Sequence, residues 1–144
     1  MSTRCQIQIE GNTAIIYQHS DGYPEAVLPD VMPFVATFFK SRGNDPEYLA
    51  ARLIQHMTNL ADKQRAEFQK TLGSPHTDRG PDFTGYGVSA ELHGDIEFLY
   101  TVKQNGSVLV QKARHGEAGA TIAEFQLGMN PDDAVAEIKR LQGE

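Results

Sequence analysis

The sequence predicts an α+β domain: an antiparallel sheet of about five strands, with two or three helices packed mainly on one face. Three observations predict this class. Segments that alternate with a period of two residues occur in both halves of the chain, and short turns join them in pairs. Two segments with helical spacing lie between these pairs, and a third closes the chain. The uncovered face of such a sheet is open to solvent, a ligand or another subunit.

Length and composition indicate a single domain over residues 1–144. Hydrophobic residues make up 40% and charged residues 22%, and no apolar run approaches the roughly 18 residues of a membrane span. The single cysteine, Cys5, excludes an internal disulfide framework and a cysteine-based zinc site. The first residues lack the apolar run of a secretory signal, so we expect a cytoplasmic protein. The net charge of −6 argues against general nucleic-acid binding.

The first hairpin lies at the start of the chain. Residues 5–9 alternate between apolar and polar side chains, which predicts a half-buried strand. A Gly-Asn pair at residues 11–12 predicts the turn, because both residue types tolerate positive φ. The returning strand over residues 13–19 places Tyr17 and His19 on the same face.

The first predicted helix covers residues 30–42. Apolar side chains recur there at helical spacing, but Pro29 and Pro33 would each remove a hydrogen bond from a helix interior. With Asp30 as the N-cap, Pro33 falls in the first turn, where its missing N–H costs no bond. We therefore predict a turn over residues 24–29 and a helix that begins only at Asp30.

The second helix begins at Pro46, with Asn44 or Asp45 as its cap. Its apolar stripe thins in the second half to Phe68 and Leu72. This half of the helix either protrudes into solvent or packs on another subunit.

Turn residues and alternation divide the rest of the chain. The segments are a loop over residues 74–83, a strand near 86–90, a hairpin over 96–113 that turns at Asn105-Gly106, a flexible break over 116–119, a stretch over 120–127 that is either a strand or a loop, and a final helix over 130–141.

Two His-x-Asp pairs, His19 with Asp21 and His93 with Asp95, are the main candidates for chemistry. Both lie where a predicted strand begins or ends. Imidazoles with carboxylates could hold zinc, manganese or iron, and a histidine oriented by an aspartate could act as a general base. Turn chemistry alone also accounts for each aspartate. No nucleophile elbow, phosphate loop or dinucleotide motif accompanies the pairs, and His56 on the second helix is interpreted as solvated.

The third interpretation is a binding pocket. Aromatic rings stack on bases, and arginine side chains bind phosphates through two parallel hydrogen bonds. The predicted ligand-binding residues are Tyr17, His19, Asp21, Tyr23, His93, Asp95, Tyr100 and Arg4, with Phe83, Tyr86, Arg79 and Arg114 as further candidates. Tyr17 and Tyr100 also alternate with core residues, so packing in the core is their alternative role.

Two stretches resemble a family of small, mostly uncharacterised proteins from phages, prophages and bacteria. They are "YQHSDGYPEAVLPD" and "HGDIEFLY", which carry a Tyr-x-His-x-Asp-Gly-Tyr-Pro turn and a His-Gly-Asp-x-Glu-aromatic-x-Tyr strand. The resemblance implies that the residues of this turn and this strand belong to the family motif. It implies no catalytic role for any of them. Ser20 stands where some relatives have a bulkier aromatic residue. A phage setting implies a protein that acts on host proteins or sequesters nucleotide signals.

We therefore expect a non-enzymatic phage or mobile-element protein that binds a small anionic or nucleotide-like ligand without a cofactor. It would act in the host cytoplasm as a homo-oligomer and could sequester a defence signal. One alternative is a metal-dependent hydrolase that uses both His-x-Asp pairs. The other is an interaction module that binds a host protein through the uncovered sheet face or the end of the second helix.

Overall fold

The structure, a computed structural model, describes residues 3–72 and 85–143. This part of the chain is an α+β fold with six strands and three helices, which confirms the predicted class with one strand more than expected. The elements are β1 (Cys5–Ile9), β2 (Ile15–Gln18), α1 (Pro24–Arg42), α2 (Pro46–Leu72), β3 (Tyr86–Ser89), β4 (Phe98–Val102), β5 (Val108–Arg114), β6 (Glu117–Phe125) and α3 (Pro131–Leu141). None of the described helices combines the length and apolarity that a membrane span requires.

The six strands form one sheet in the order β3-β2-β1-β4-β5-β6. All neighbours are antiparallel except β1 and β4, which pair in parallel at the centre. This parallel pair differs from the expected antiparallel sheet, because the chain crosses from β3 at the edge to β4 beside β1. The connecting residues 90–97, which we call the crossover segment, pass β2 and β1 on the way.

The helices pack against the sheet face that carries Cys5, Ile7 and Tyr100, as predicted. These three residues are fully buried, together with Leu28 and Val31 of α1. The opposite face, which we call the open face, carries Gln6, Tyr17 and Leu99 through the alternation of the strands. The crossover segment lies on the open face.

Helix α1 begins at Pro24, and the predicted start at Asp30 was wrong. Pro24 is in the first turn, where a missing N–H breaks no intrahelical bond. Pro29 and Pro33 lie inside the helix, four residues apart on its exposed side, so the carbonyls that lose a partner can face water. Burial of the opposite side, which includes Val27, Leu28 and Val31, offsets their cost of about 3 kcal/mol each.

The capping predictions for the other helices are confirmed. Asp45 Oδ1 accepts a hydrogen bond from the Tyr48 amide, 3.2 Å away, at the start of α2. Asn130 caps α3, and its side chain accepts from the Asp132 amide at 2.8 Å. His56 of α2, expected to be solvated, is instead half-buried and packs on α1.

Residues 120–127, ambiguous in sequence, belong largely to strand β6. The flexible break expected over residues 116–119 was wrong, because residues 117–119 belong to strand β6 and a tight turn with positive φ at His115 and Gly116 joins it to β5. The β4–β5 turn at Asn105-Gly106 is confirmed, and Gly106 has the φ of +84° that such turns demand. The loop expected over 74–83 and the side chains of Phe68 and Leu72 lie outside the described part of the chain.

Candidate functional site

Five of the predicted site residues come together at one end of the open face. In the pairing of β1 with β2, Cys5 lies opposite Gln18 and Gln6 lies opposite Tyr17. This register, continued by one residue, places Arg4 opposite His19, and strand alternation puts both on the same face as Tyr17. The crossover segment then brings His93 and Asp95 to the same region. We call Arg4, Tyr17, His19, His93 and Asp95 the open-face site.

Tyr17 is the centre of this site. Its ring stacks on the ring of His93, with centroids 4.3 Å apart and planes inclined by 18°. Its hydroxyl lies 3.0 Å from Nδ1 of His19. Tyr17 and His19 are half-buried, whereas His93 is exposed, so the tyrosine supports an imidazole that faces solvent.

Gln6 holds the crossover segment in place. This fully buried side chain donates from Nε2 to Ser89 Oγ at 2.8 Å and to the Glu91 carbonyl at 3.2 Å. Its Oε1 accepts from the His93 backbone amide at 2.7 Å. A buried amide with both ends bonded fixes a backbone with high specificity. Gln6 therefore positions His93 over Tyr17, and sequence analysis missed it, because in sequence it is only one polar residue of an alternating strand.

Arg4 and Asp95 form the second half of the site. Arg4 Nε lies 3.4 Å from Asp95 Oδ2, and the two side chains are 33% and 57% exposed. Such an exposed pair stabilises a fold by about 0 to 1 kcal/mol. Among the described residues Arg4 has no other side-chain partner, so its two terminal nitrogens remain available for another acceptor. The contact with Asp95 is made through Nε of the guanidinium.

The structure separates Tyr100 from the other predicted residues. Tyr100 is fully buried on the helix-covered face, and its hydroxyl donates to the Gly22 carbonyl at 2.7 Å. Burial raises the pKa of Tyr100 well above the usual value. Gly22 itself packs against β1, because a methyl group there would lie 2.8 Å from Cys5 Cβ. Tyr100 thus anchors the corner that follows β2 and has no access to a ligand on the open face.

Asp21 and Tyr23 line a different cavity, of about 640 Å³, beyond the end of β2. Asp21 takes the left-handed φ of +57° at the corner, a role that turn chemistry explains. Among the described residues, the cavity is lined by four carboxylates against one arginine, namely Asp21, Glu25, Asp30 and Asp62 against Arg65. Burial raises the pKa of Asp30 and, with the nearby negative charges, raises the pKa of Tyr86 to about 12. This charge pattern disfavours an anion, although His19 also reaches the cavity.

The remaining candidates are dispersed. Within residues 3–72 and 85–143, no three His, Cys, Asp or Glu side chains converge as metal ligands. Arg114 is exposed and donates to His115 at 3.2 Å. The Cys5 thiol is fully buried, which raises its pKa and leaves it a core residue. Arg79 and Phe83 lie outside the described residues.

Comparison of the chain with protein-family models, with curated proteins and with solved structures found no match in any of the three cases. The resemblance to a phage and bacterial family therefore stays a prediction, and function has to be argued from the site itself.

Proposed function

We propose that this chain is a non-enzymatic binding protein that holds a small, planar, anionic ligand such as a nucleotide on the open-face site. One observation carries the proposal. An exposed imidazole, His93, is stacked on Tyr17 and lies in the same site as an arginine, Arg4, whose terminal nitrogens have no partner among the described residues.

The stacked histidine supports recognition of a planar ring. Tyr17 covers one side of His93 and Gln6 fixes its backbone, so the imidazole is ordered before a ligand arrives. A preformed aromatic surface loses little conformational entropy on binding. Stacking of a base on such a surface contributes about 1 to 3 kcal/mol.

Arg4 supports recognition of the anionic group. Its planar guanidinium can donate two parallel hydrogen bonds to a phosphate or carboxylate, which a lysine could not. Asp95 offsets its charge, so binding would depend on hydrogen-bond geometry more than on net charge. In the cavity that contains Asp21, the described lining sets four carboxylates against Arg65, a charge balance that favours the open face for the anion.

Binding rather than catalysis is favoured by the contacts of the two histidines. His19 is hydrogen-bonded to Tyr17, and Asp95 faces Arg4 instead of either imidazole. A histidine that acts as a general base oriented by a carboxylate would need that carboxylate to face its imidazole. The metal-hydrolase alternative finds no ligand cluster in the described residues. The phage setting, the homo-oligomer and the sequestering of a nucleotide signal remain part of this proposal as predictions.

The test measures the affinity of AMP and of adenosine for the wild type and two variants by isothermal titration calorimetry. Arg4→Gln should weaken AMP binding about tenfold and leave adenosine unchanged, because it removes only the phosphate donors. His93→Ala should weaken both ligands through the lost stack. Arg114→Gln, which removes an exposed arginine outside the site, is the control and should match the wild type. The absence of AMP binding at millimolar concentration, or an equal loss in the control, contradicts the proposal.

A further inference from the structure

The second feature with the chemistry of a binding site is a groove of about 450 Å³ whose described lining residues belong to α1 and α2. We call it the helix groove. Phe34 and Phe38 of α1 and His56 of α2 give it an aromatic lining, and Arg42 and Arg52 lie along it. Phe34 and His56 are stacked, with ring centroids 4.6 Å apart and planes inclined by 25°. The lining is therefore a packed aromatic surface and not a set of loose side chains.

The charge of the helix groove is opposite to that of the whole chain. None of the described residues that line this groove is a carboxylate, although acidic residues outnumber basic ones by 19 to 13 in the sequence. Arg42 is neutralised by Asp45 at 2.7 Å and lies over the Tyr48 ring. Arg52 donates only to the neutral amide of Gln55, at 3.1 Å, and has no carboxylate partner in the described part of the chain. Arg52 is thus an uncompensated cation beside an apolar surface.

An adjoining cavity makes the two ends of the groove chemically different. It has a volume of about 380 Å³, shares Phe34 and His56 with the groove, and continues to Pro33 and Leu60. Asp30 lies at this end, and burial raises the pKa of its carboxyl group. An anionic group is therefore disfavoured at the Asp30 end and favoured at the Arg52 end, with an apolar surface between them.

From these features we propose that the helix groove binds a small organic acid with an aromatic or aliphatic body. The carboxylate, sulfonate or phosphate group would accept hydrogen bonds from Arg52, and the body would cover Phe34, Phe38 and His56. Arginine binds such oxyanions in bidentate fashion, and pockets for small molecules commonly combine an apolar lining with few polar groups. The site is separate from the open-face site and does not depend on the function proposed for it.

Two fluorescent probes with the same aromatic body test this proposal. One is 8-anilinonaphthalene-1-sulfonate, an anion, and the other is N-phenyl-1-naphthylamine, which lacks the sulfonate. The wild type should bind the anion more tightly. Arg52→Gln should weaken binding of the anion about tenfold and leave the neutral probe unchanged, because only the charged hydrogen bonds are lost. Lys63→Gln removes the same charge from the same helix outside the groove and should have no effect.

Three results would overturn the proposal. The first is equal affinity for both probes in the wild type. The second is an unchanged affinity for the anion in Arg52→Gln, or the same loss in Lys63→Gln, which would indicate a general charge effect. The third comes from light scattering on the same proteins: an oligomer in the wild type that Arg52→Gln dissociates would identify the groove as an interface between copies of this chain.

Discussion

Gln6→Leu is the substitution that most directly tests how the open-face site is held together. Leucine is apolar and close to glutamine in size, so it leaves no large cavity but removes every hydrogen bond of the amide. The His93 amide then loses its acceptor at Gln6, and the Glu91 carbonyl loses one of its two donors. Ser89 Oγ keeps its own bond to the Glu91 carbonyl at 2.9 Å.

The magnitude follows from these three bonds, of 2.8, 3.2 and 2.7 Å. Each contributes about 1 kcal/mol net. Leucine regains part of this by burying apolar surface. We expect Gln6→Leu to lower the free energy of unfolding by about 1 to 3 kcal/mol, measured by urea denaturation.

Gln8→Leu is the matched control, because Gln8 lies on the same strand and face. Gln8 is only half-buried and makes one long bond, 3.4 Å from Nε2 to Thr101 Oγ1. Its replacement should change stability by about 0.5 kcal/mol or less. Hydrogen exchange of the His93 amide should accelerate in Gln6→Leu and not in Gln8→Leu. Equal stabilities of the two variants, with unchanged exchange at His93, would refute the positioning role of Gln6.

Two further predictions concern the core and the acidic cavity. Tyr100→Phe should lower the free energy of unfolding by about 1 to 2 kcal/mol, because it leaves the Gly22 carbonyl without its buried donor. Tyr48→Phe, at an exposed tyrosine, is the control and should leave stability unchanged. If neither substitution changed stability, the anchoring role of Tyr100 would be contradicted. Burial raises the pKa of Asp30 in the folded state, so the folded chain binds the carboxyl proton more tightly than the unfolded chain does. The folded state therefore loses stability as the pH rises from the usual carboxyl pKa through the raised pKa of Asp30. Asp30→Asn should therefore be more stable than the wild type at neutral pH, with the advantage disappearing in acid; parallel stability curves across this range would show that Asp30 is not responsible.

Part of the site could be predicted from the sequence because it depends on local geometry. Strand alternation places Tyr17 and His19 on one face, and the position of His93 before a strand suggested convergence at a strand end. The turn formed by Asp21 and Gly22 also follows from residue type, since aspartate tolerates the left-handed φ of +57° that Asp21 adopts.

The rest depends on strand order, which local patterns do not encode. Tyr100 alternates with core residues, but only the parallel pairing of β4 with β1 places it at the buried centre of the sheet. Gln6 acquires its role because the crossover segment returns over β1. The residues next to Gln6 in the sequence do not predict this tertiary contact. The early start of α1 was missed for another reason: buried contacts on one side outweighed two prolines on the other.

The central claim is that the open-face site binds a planar anion. The most direct measurement is an NMR titration of the isotopically labelled protein with AMP, followed through the imidazole signals of His93 and the Nε–H signal of Arg4. We predict that both signals shift with one common dissociation constant, while the Nε–H signal of Arg114, an exposed arginine outside both proposed sites, does not follow them. Unchanged His93 and Arg4 signals at millimolar AMP would contradict the account.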